Sequence, residues 1–213
     1  MTYDDAAWLT SREPLQVDVL ELTLTTRIPD FDSMSAAAIL HPFEDENGHP
    51  LKWLEADKSL GADAIELSAG RNRFSPAAGD LDHTQAKILL QILCPVRTSV
   101  QLGFSADVLV TPSSPHTGMH RNAEGRIIAP DQQLAAAGGE QFLIRQFTGT
   151  GLALMESLCT ADGWIEWPNL MWADDRSWML DSHWDAPFTV AAADVETIDR
   201  ISSCPGLDSV RVR

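Results

Sequence analysis

The chain has 213 residues, and its 31 acidic and 15 basic residues give a formal charge of −16. Such a surface repels phosphate backbones, which argues against direct nucleic-acid binding. Three widely spaced cysteines indicate free thiols rather than a disulfide scaffold, and no apolar run reaches the roughly 18 residues of a membrane span. The sequence therefore predicts a cytoplasmic protein of one domain, residues 1–213.

The N-terminal part of the chain is predicted to contain an arm and then a helix. Residues 1–14 carry an early tryptophan and end at Glu13-Pro14, which favours a short arm lying on the body. Asp32 or Ser33 is a good N-cap for a helix through the alanine-rich residues 36–40. His41-Pro42 is expected to end that helix.

The clearest helical pattern follows Asp82. Its apolar stripe recurs at helical spacing through Ala86, Leu89, Leu90 and Leu93, and Cys94-Pro95 ends it. Two strands, 98–102 and 106–110, are predicted next, broken at Gly103. Residues 111–139 are rich in Pro, Ser, Gly and Ala, and we expect them to form a long surface loop.

The C-terminal part is predicted to alternate strands and short helices. Residues 141–148 favour a strand, and Gly149-Thr150-Gly151 is interpreted as an ordinary helix start because it lacks the Walker lysine. Asp194 is the N-cap of a last helix with Val195, Ile198 and Ile201 on one buried face. A closing strand is expected over residues 207–212.

Residues 164–184 hold five of the seven tryptophans. A hairpin is predicted around Ala173-Asp174-Asp175, and its second strand alternates between two faces. Trp178, Leu180 and Trp184 lie on one side; Met179, Asp181, His183 and Asp185 lie on the other. Together the elements predict an α+β single domain with a mostly antiparallel sheet and a few amphipathic helices packed on it.

Several short signatures resemble one family. The run Ile28–Glu55, with Leu40-His41-Pro42 and Lys52-Trp53, resembles an uncharacterised family of actinobacterial proteins. The helix beginning at Leu81 and the pattern Pro-Asn-Leu-x-Trp-x-x-Asp-Arg-Ser-Trp over Pro168–Trp178 are similar to later parts of that family. The resemblance implies a single α/β protein in which the aromatic hairpin is integral, and it carries no activity or catalytic residue.

Two stretches depart from the family pattern. After the Leu81 helix the expected aromatic-rich strand has only Phe104, and residues 185–193 read DAPFTVAAA where a Ser-Thr-Gly-rich turn is expected.

The preferred functional interpretation is a non-enzymatic module that binds a protein partner, and the acidic charge of the chain favours a basic one. Tryptophan and arginine are common anchors of interfaces, and a guanidinium can hold a carboxylate bidentately. The candidate binding residues are Trp172, Asp174, Asp175, Arg176, Trp178 and Trp184.

A hydrolase is the enzymatic alternative, although no local catalytic motif is present. A histidine between acids can act as a general base. The candidate residues are His41, Asp181, His183 and Asp185. A second alternative is an acidic toxin-neutralising or nucleic-acid-mimicking protein. We expect no metal site and no cofactor, because no ligand spacing in the sequence points to one.

Overall fold

A central antiparallel sheet organises the part of the chain that the computed structural model describes. That part comprises residues 17–18, 23–24, 34–44, 50–51, 81–105, 120–121, 127–128, 133–137, 140–159, 165–182 and 188–211. Its strands are β1 (Val17–Asp18), β2 (Thr23–Leu24), β3 (Ser35–Leu40), β4 (Phe43–Glu44), β5 (Pro50–Leu51), β6 (Thr98–Ser105), β7 (His120–Arg121), β8 (Ile127–Ile128), β9 (Gln133–Ala137), β10 (Glu140–Gly149), β11 (Leu170–Ala173), β12 (Trp178–Asp181), β13 (Phe188–Ala193) and β14 (Ser209–Arg211). Its helices are α1 (His83–Leu93), α2 (Gly151–Leu158) and α3 (Val195–Ser202).

Eight of these strands form the sheet in the order β14-β3-β13-β12-β11-β6-β10-β9. Every neighbouring pair is antiparallel. The remaining described strands form the two-stranded pairs β1-β2, β4-β5 and β7-β8. The architecture confirms the predicted α+β class. None of the helices in the described part of the chain combines the length and apolarity needed to cross a membrane.

The three helices pack on one face of the sheet. Leu89 and Leu90 of α1, Leu154 of α2 and Ile198 of α3 are fully buried in one cluster with side chains from the sheet. Burying each such side chain contributes roughly 1.5–3 kcal/mol. Gly151 permits the close approach of α2 to α1, because a Cβ there would collide with the Leu90 carbonyl oxygen.

The opposite face of the sheet has its own buried apolar cluster. Its members are Phe142, Ile144, Leu170, Trp172, Met179 and Ala192. Trp178 and Leu180 belong to the helix-side cluster, whereas Met179 belongs to this one. This alternation confirms the prediction for the second strand of the tryptophan hairpin over residues 178–181.

The alanine-rich stretch predicted as a helix is strand β3, so that prediction is wrong. Residues 36–40 are at most 7% exposed, and β3 lies between β14 and β13. Ala37 pairs with Ala191, and both join α3 in the helix-side cluster. Alanine has a high intrinsic helix propensity, but tertiary context overrides propensity. Here the small alanine side chains let α3 pack closely on the sheet.

The predicted break at Gly103 is also wrong, because β6 continues through it from Thr98 to Ser105. Gly103 pairs with Leu170 of β11, and a Cβ at Gly103 would lie 3.1 Å from the Leu170 Cβ. The glycine therefore gives room for the neighbouring strand. Residues 106–110, predicted as a second strand, lie outside the described residues.

The other predicted elements are largely found. α1 begins after the Asp82 cap, whose carboxylate accepts from the Thr84 and Gln85 backbone N–H groups. β10, α2 and β14 match the predicted strand, helix start and closing strand. The prediction for α3 is wrong at one position: Val195 is 55% exposed, although Ile198 and Ile201 are buried. The predicted arm, residues 1–14, lies outside the described residues, and β7, β8 and β9 fall within the range 111–139.

Candidate functional site

Two residues proposed for catalysis lie near one end of the sheet but on opposite faces. His41 directly follows β3 and is fully buried, and Asp181 ends β12 and is 2% exposed. The His41 ring bonds Thr189 on the helix side, whereas Asp181 shares the face of Met179 by strand alternation. Proton transfer needs hydrogen-bond reach or one bridging water. The structure therefore does not unite this pair, and His183 and Asp185 lie outside the described residues.

His41 belongs to a buried hydrogen-bond chain. Its Nε2 lies 3.0 Å from Thr189 Oγ1, which lies 2.7 Å from Ser182 Oγ. The Trp167 indole N–H donates to Ser182 Oγ at 2.9 Å. If protons point from Trp167 toward His41, each hydroxyl donates once and accepts once, and Nε2 is the final acceptor.

Asn169 joins further strand ends at the same place. Its side-chain oxygen accepts from the Ser105 backbone N–H at 2.8 Å, and its amide nitrogen donates to the Ser182 carbonyl at 3.2 Å. The Ser182 N–H donates to the Asn169 carbonyl at 2.7 Å. These groups satisfy one another's hydrogen bonds and hold the strand ends together.

The structure also places a cysteine beside a histidine, which the sequence did not indicate. Cys159 Sγ lies 3.8 Å from His83 Nε2, although the residues are 76 positions apart. Cys159 caps the C-terminal end of α2, and His83 begins α1. The contact therefore joins the end of α2 to the start of α1.

No group of three or more His, Cys, Asp or Glu side chains that could hold a metal ion occurs in the described part of the chain.

The residues proposed for binding separate into a buried and an exposed set. Trp172 and Trp178 are 3% and 4% exposed, so they pack in the two clusters. Trp184 lies outside the described residues. Asp174, Asp175 and Arg176 are exposed on the turn that joins β11 to β12, which confirms the predicted hairpin.

The turn has a defined conformation. The Arg176 N–H donates to the Ala173 carbonyl at 2.8 Å, and Asp175 accepts from the Ser177 N–H at 3.0 Å. Arg176 has φ 58°, in the left-handed region that costs a non-glycine residue roughly 1–2 kcal/mol. The Arg176 side chain therefore projects from a backbone whose conformation is fixed by the turn.

Two glutamines hold the Asp174 carboxylate. Gln101 Nε2 donates to Oδ1 at 2.6 Å, and Gln146 Nε2 donates to Oδ2 at 2.9 Å and to Ser99 Oγ at 3.0 Å. The Asp174 N–H also donates to the Ser99 carbonyl at 3.0 Å. We call Asp174, Gln101, Gln146 and Ser99 the Asp174 clamp. Gln101 and Asp174 are 73 positions apart, so no local sequence signal predicts it.

The same end of the sheet carries exposed apolar side chains. Among residues whose burial the structure describes, the exposed large hydrophobics are Val96, Leu152 and Val195, at 67%, 42% and 55%. Val96 precedes β6, and Leu152 and Val195 lie in the first turns of α2 and α3. The Gly151 N–H donates to the Cys94 carbonyl at 2.9 Å, which brings the chain at Leu152 close to the chain at Val96. We call the turn 174–177 with these three side chains the hairpin end.

The chain matches no family model, and comparison with curated proteins and with solved structures finds no significant match. The geometry of its own residues therefore carries the functional argument.

Proposed function

We propose that the chain is a non-enzymatic, cytoplasmic protein-binding domain whose hairpin end contacts a partner with a basic surface. The supporting observation is that the exposed Val96, Leu152 and Val195 lie at the sheet end that also presents Asp174 and Asp175. Protein interfaces combine an apolar centre with a polar rim. An exposed group of hydrophobic side chains beside carboxylates has that character.

The size of this surface suits one partner. β6 and β13 are separated by β12 and β11, and three strand spacings of roughly 4.8 Å place their ends about 14 Å apart. An interface that buries about 800 Å² on each side is wider than that. One partner can therefore contact Val96 before β6 and Val195 after β13 together.

The charge of the chain supports a basic partner. A formal charge of −16 attracts positively charged proteins over a distance and raises the rate of encounter. Asp194 and Glu196 add exposed carboxylates at the start of α3, beside Val195. We expect the long-range electrostatic attraction to weaken as ionic strength rises. The short-range contacts of the exposed apolar side chains should depend on it much less.

The test is affinity capture of the tagged chain from its native cell. We expect a stoichiometric partner that is retained by wild type, weakened by salt, and lost by the Val96→Ser/Leu152→Ser double variant. Ser202→Ala, an exposed position at the far end of α3, is the matched control and should retain the partner.

The proposal is contradicted if the double variant retains the partner as well as wild type does, or if wild type captures no stoichiometric partner. The toxin-neutralising or nucleic-acid-mimicking alternative predicts salt-sensitive binding that does not need Val96 and Leu152.

A further inference from the structure

We infer that the Asp174 clamp is a binding site for a guanidinium group, so that the basic partner contributes an arginine side chain to it. This inference rests on the proposed function and assigns chemistry to one point of the hairpin end. Three features carry it: a fixed carboxylate, amide donors that point inward, and the surrounding negative charge.

The carboxylate of Asp174 is held in a defined orientation while its residue stays exposed. Each oxygen accepts one glutamine N–H, from Gln101 at 2.6 Å and from Gln146 at 2.9 Å. These are charge-assisted bonds, which are shorter and stronger than neutral ones. Each carboxylate oxygen can accept a second hydrogen bond. The oxygens therefore remain available to a ligand in a fixed plane.

The glutamine donors are directed into the clamp rather than toward a ligand. Gln101 Nε2 is used by Asp174, and Gln146 Nε2 donates to both Asp174 and Ser99. The clamp consequently presents oxygen acceptors and a negative charge. Its complement is a cation with several N–H donors, and an anion is repelled.

Guanidinium fits this arrangement better than ammonium. It is planar and carries five N–H donors in a fork that matches two carboxylate oxygens. An ammonium is a compact charge that does not match a fixed pair of oxygens in this way. The clamp should therefore prefer arginine to lysine.

The test uses the full chain at constant ionic strength and follows the side-chain amide resonances of Gln101 and Gln146 by NMR. The probes are N-acetyl-arginine amide and N-acetyl-lysine amide. We expect the arginine probe to shift both glutamine resonances and the lysine probe to bind more weakly. Asp174→Asn should weaken the arginine probe about tenfold, as expected for loss of charge-assisted bonds.

Asp175→Asn is the matched control, because it removes the same charge from the adjacent exposed residue outside the clamp. Equal effects of the two variants, equal binding of the two probes, or no shift with arginine would each overturn the inference.

The outcome for the partner is separate. A captured partner that binds Asp174→Asn as tightly as wild type overturns the guanidinium site and leaves the protein-binding proposal intact. If the arginine probe alone shifts the glutamine resonances but the chain captures no partner, the guanidinium site is supported and the proposed function is contradicted.

Discussion

Trp167 and Trp178 are buried in the same helix-side cluster, but their indole N–H groups differ. Trp167 Nε1 donates to Ser182 Oγ at 2.9 Å, whereas Trp178 Nε1 is buried and, among the described residues, has no partner. Trp→Phe at either position removes a similar volume, so the comparison isolates the hydrogen bond. We expect Trp167→Phe to destabilise the fold by about 1 kcal/mol more than Trp178→Phe.

Urea denaturation followed by circular dichroism measures this difference. Equal losses of unfolding free energy in the two variants would show that the Trp167 bond adds nothing to stability.

Individual residues show where sequence reasoning succeeds and where it stops. The alternation of Trp178, Met179 and Leu180 between two faces follows from the two-residue period of a strand, so it was predictable. The burial of His41 depends on Thr189, 148 positions away. Asp181 is predicted on the same side of its strand as His183 and Asp185, and it is 2% exposed. Periodicity specifies that a residue faces one side, but only the tertiary structure decides whether that side is covered.

At the scale of elements, the cap of α3 gives a pH-dependent prediction. The Thr197 backbone N–H donates to the Asp194 carboxylate at 2.9 Å and lowers the pKa of that carboxyl below its ordinary 3.8. We expect Asp194→Ala to cost about 1 kcal/mol at pH 7, and Asp194→Asn much less, because asparagine caps a helix equally well.

The sign of the pH dependence follows from the lowered pKa of Asp194. Because the folded carboxyl has the lower pKa, its contribution to stability is present above 3.8 and is lost as the pH falls through the folded pKa. The stability gap between wild type and Asp194→Ala should therefore narrow in acid. A gap that stays constant between pH 7 and pH 3 in urea titrations would contradict the capping role.

The leucine-rich helix α1 and the alanine-rich strand β3 show how much of the fold the sequence predicts. α1 was found from its own residues, since Asp82, the apolar stripe and Cys94-Pro95 all agree. β3 was missed because its alanines favour a helix locally. Their strand conformation follows from pairing with β13 and β14, which lie about 150 or more positions later. The Asp174 clamp is also not predictable from local sequence, because Gln101 and Gln146 lie 73 and 28 positions from Asp174.

At the scale of the whole molecule, the two ends of the sheet differ in chemistry. One end joins strand ends through the buried groups of His41, Thr189 and Ser182 and through the half-buried Asn169. The hairpin end leaves apolar side chains and the Asp174 carboxylate at the surface. Closed polar networks rigidify a fold. A rigid sheet can thus present a binding surface at its opposite end without rearranging.

Cys94 reports on the integrity of this whole assembly. It lies in the helix-side cluster at 1% exposure, and burial raises the pKa of its thiol from an ordinary 9.0 to about 12. Alkylation needs an exposed thiolate, so Cys94 should react only when the domain opens. In a Cys159→Ser/Cys204→Ser variant, we expect iodoacetamide labelling at pH 8 to be slowed relative to the unfolded chain by the unfolding equilibrium constant.

The same thiol links stability to alkaline pH. Between 9.0 and about 12 the folded protein keeps the Cys94 proton that the unfolded chain releases, so the unfolding free energy should fall as the pH rises through this window. Cys94→Ala removes that one contribution and leaves other titrating groups unchanged. Its unfolding free energy should therefore decline less steeply than that of wild type in urea titrations between pH 8 and pH 11. Identical slopes, or native-state labelling of Cys94 as fast as its labelling in the unfolded chain, would show that this thiol is not sealed in the core.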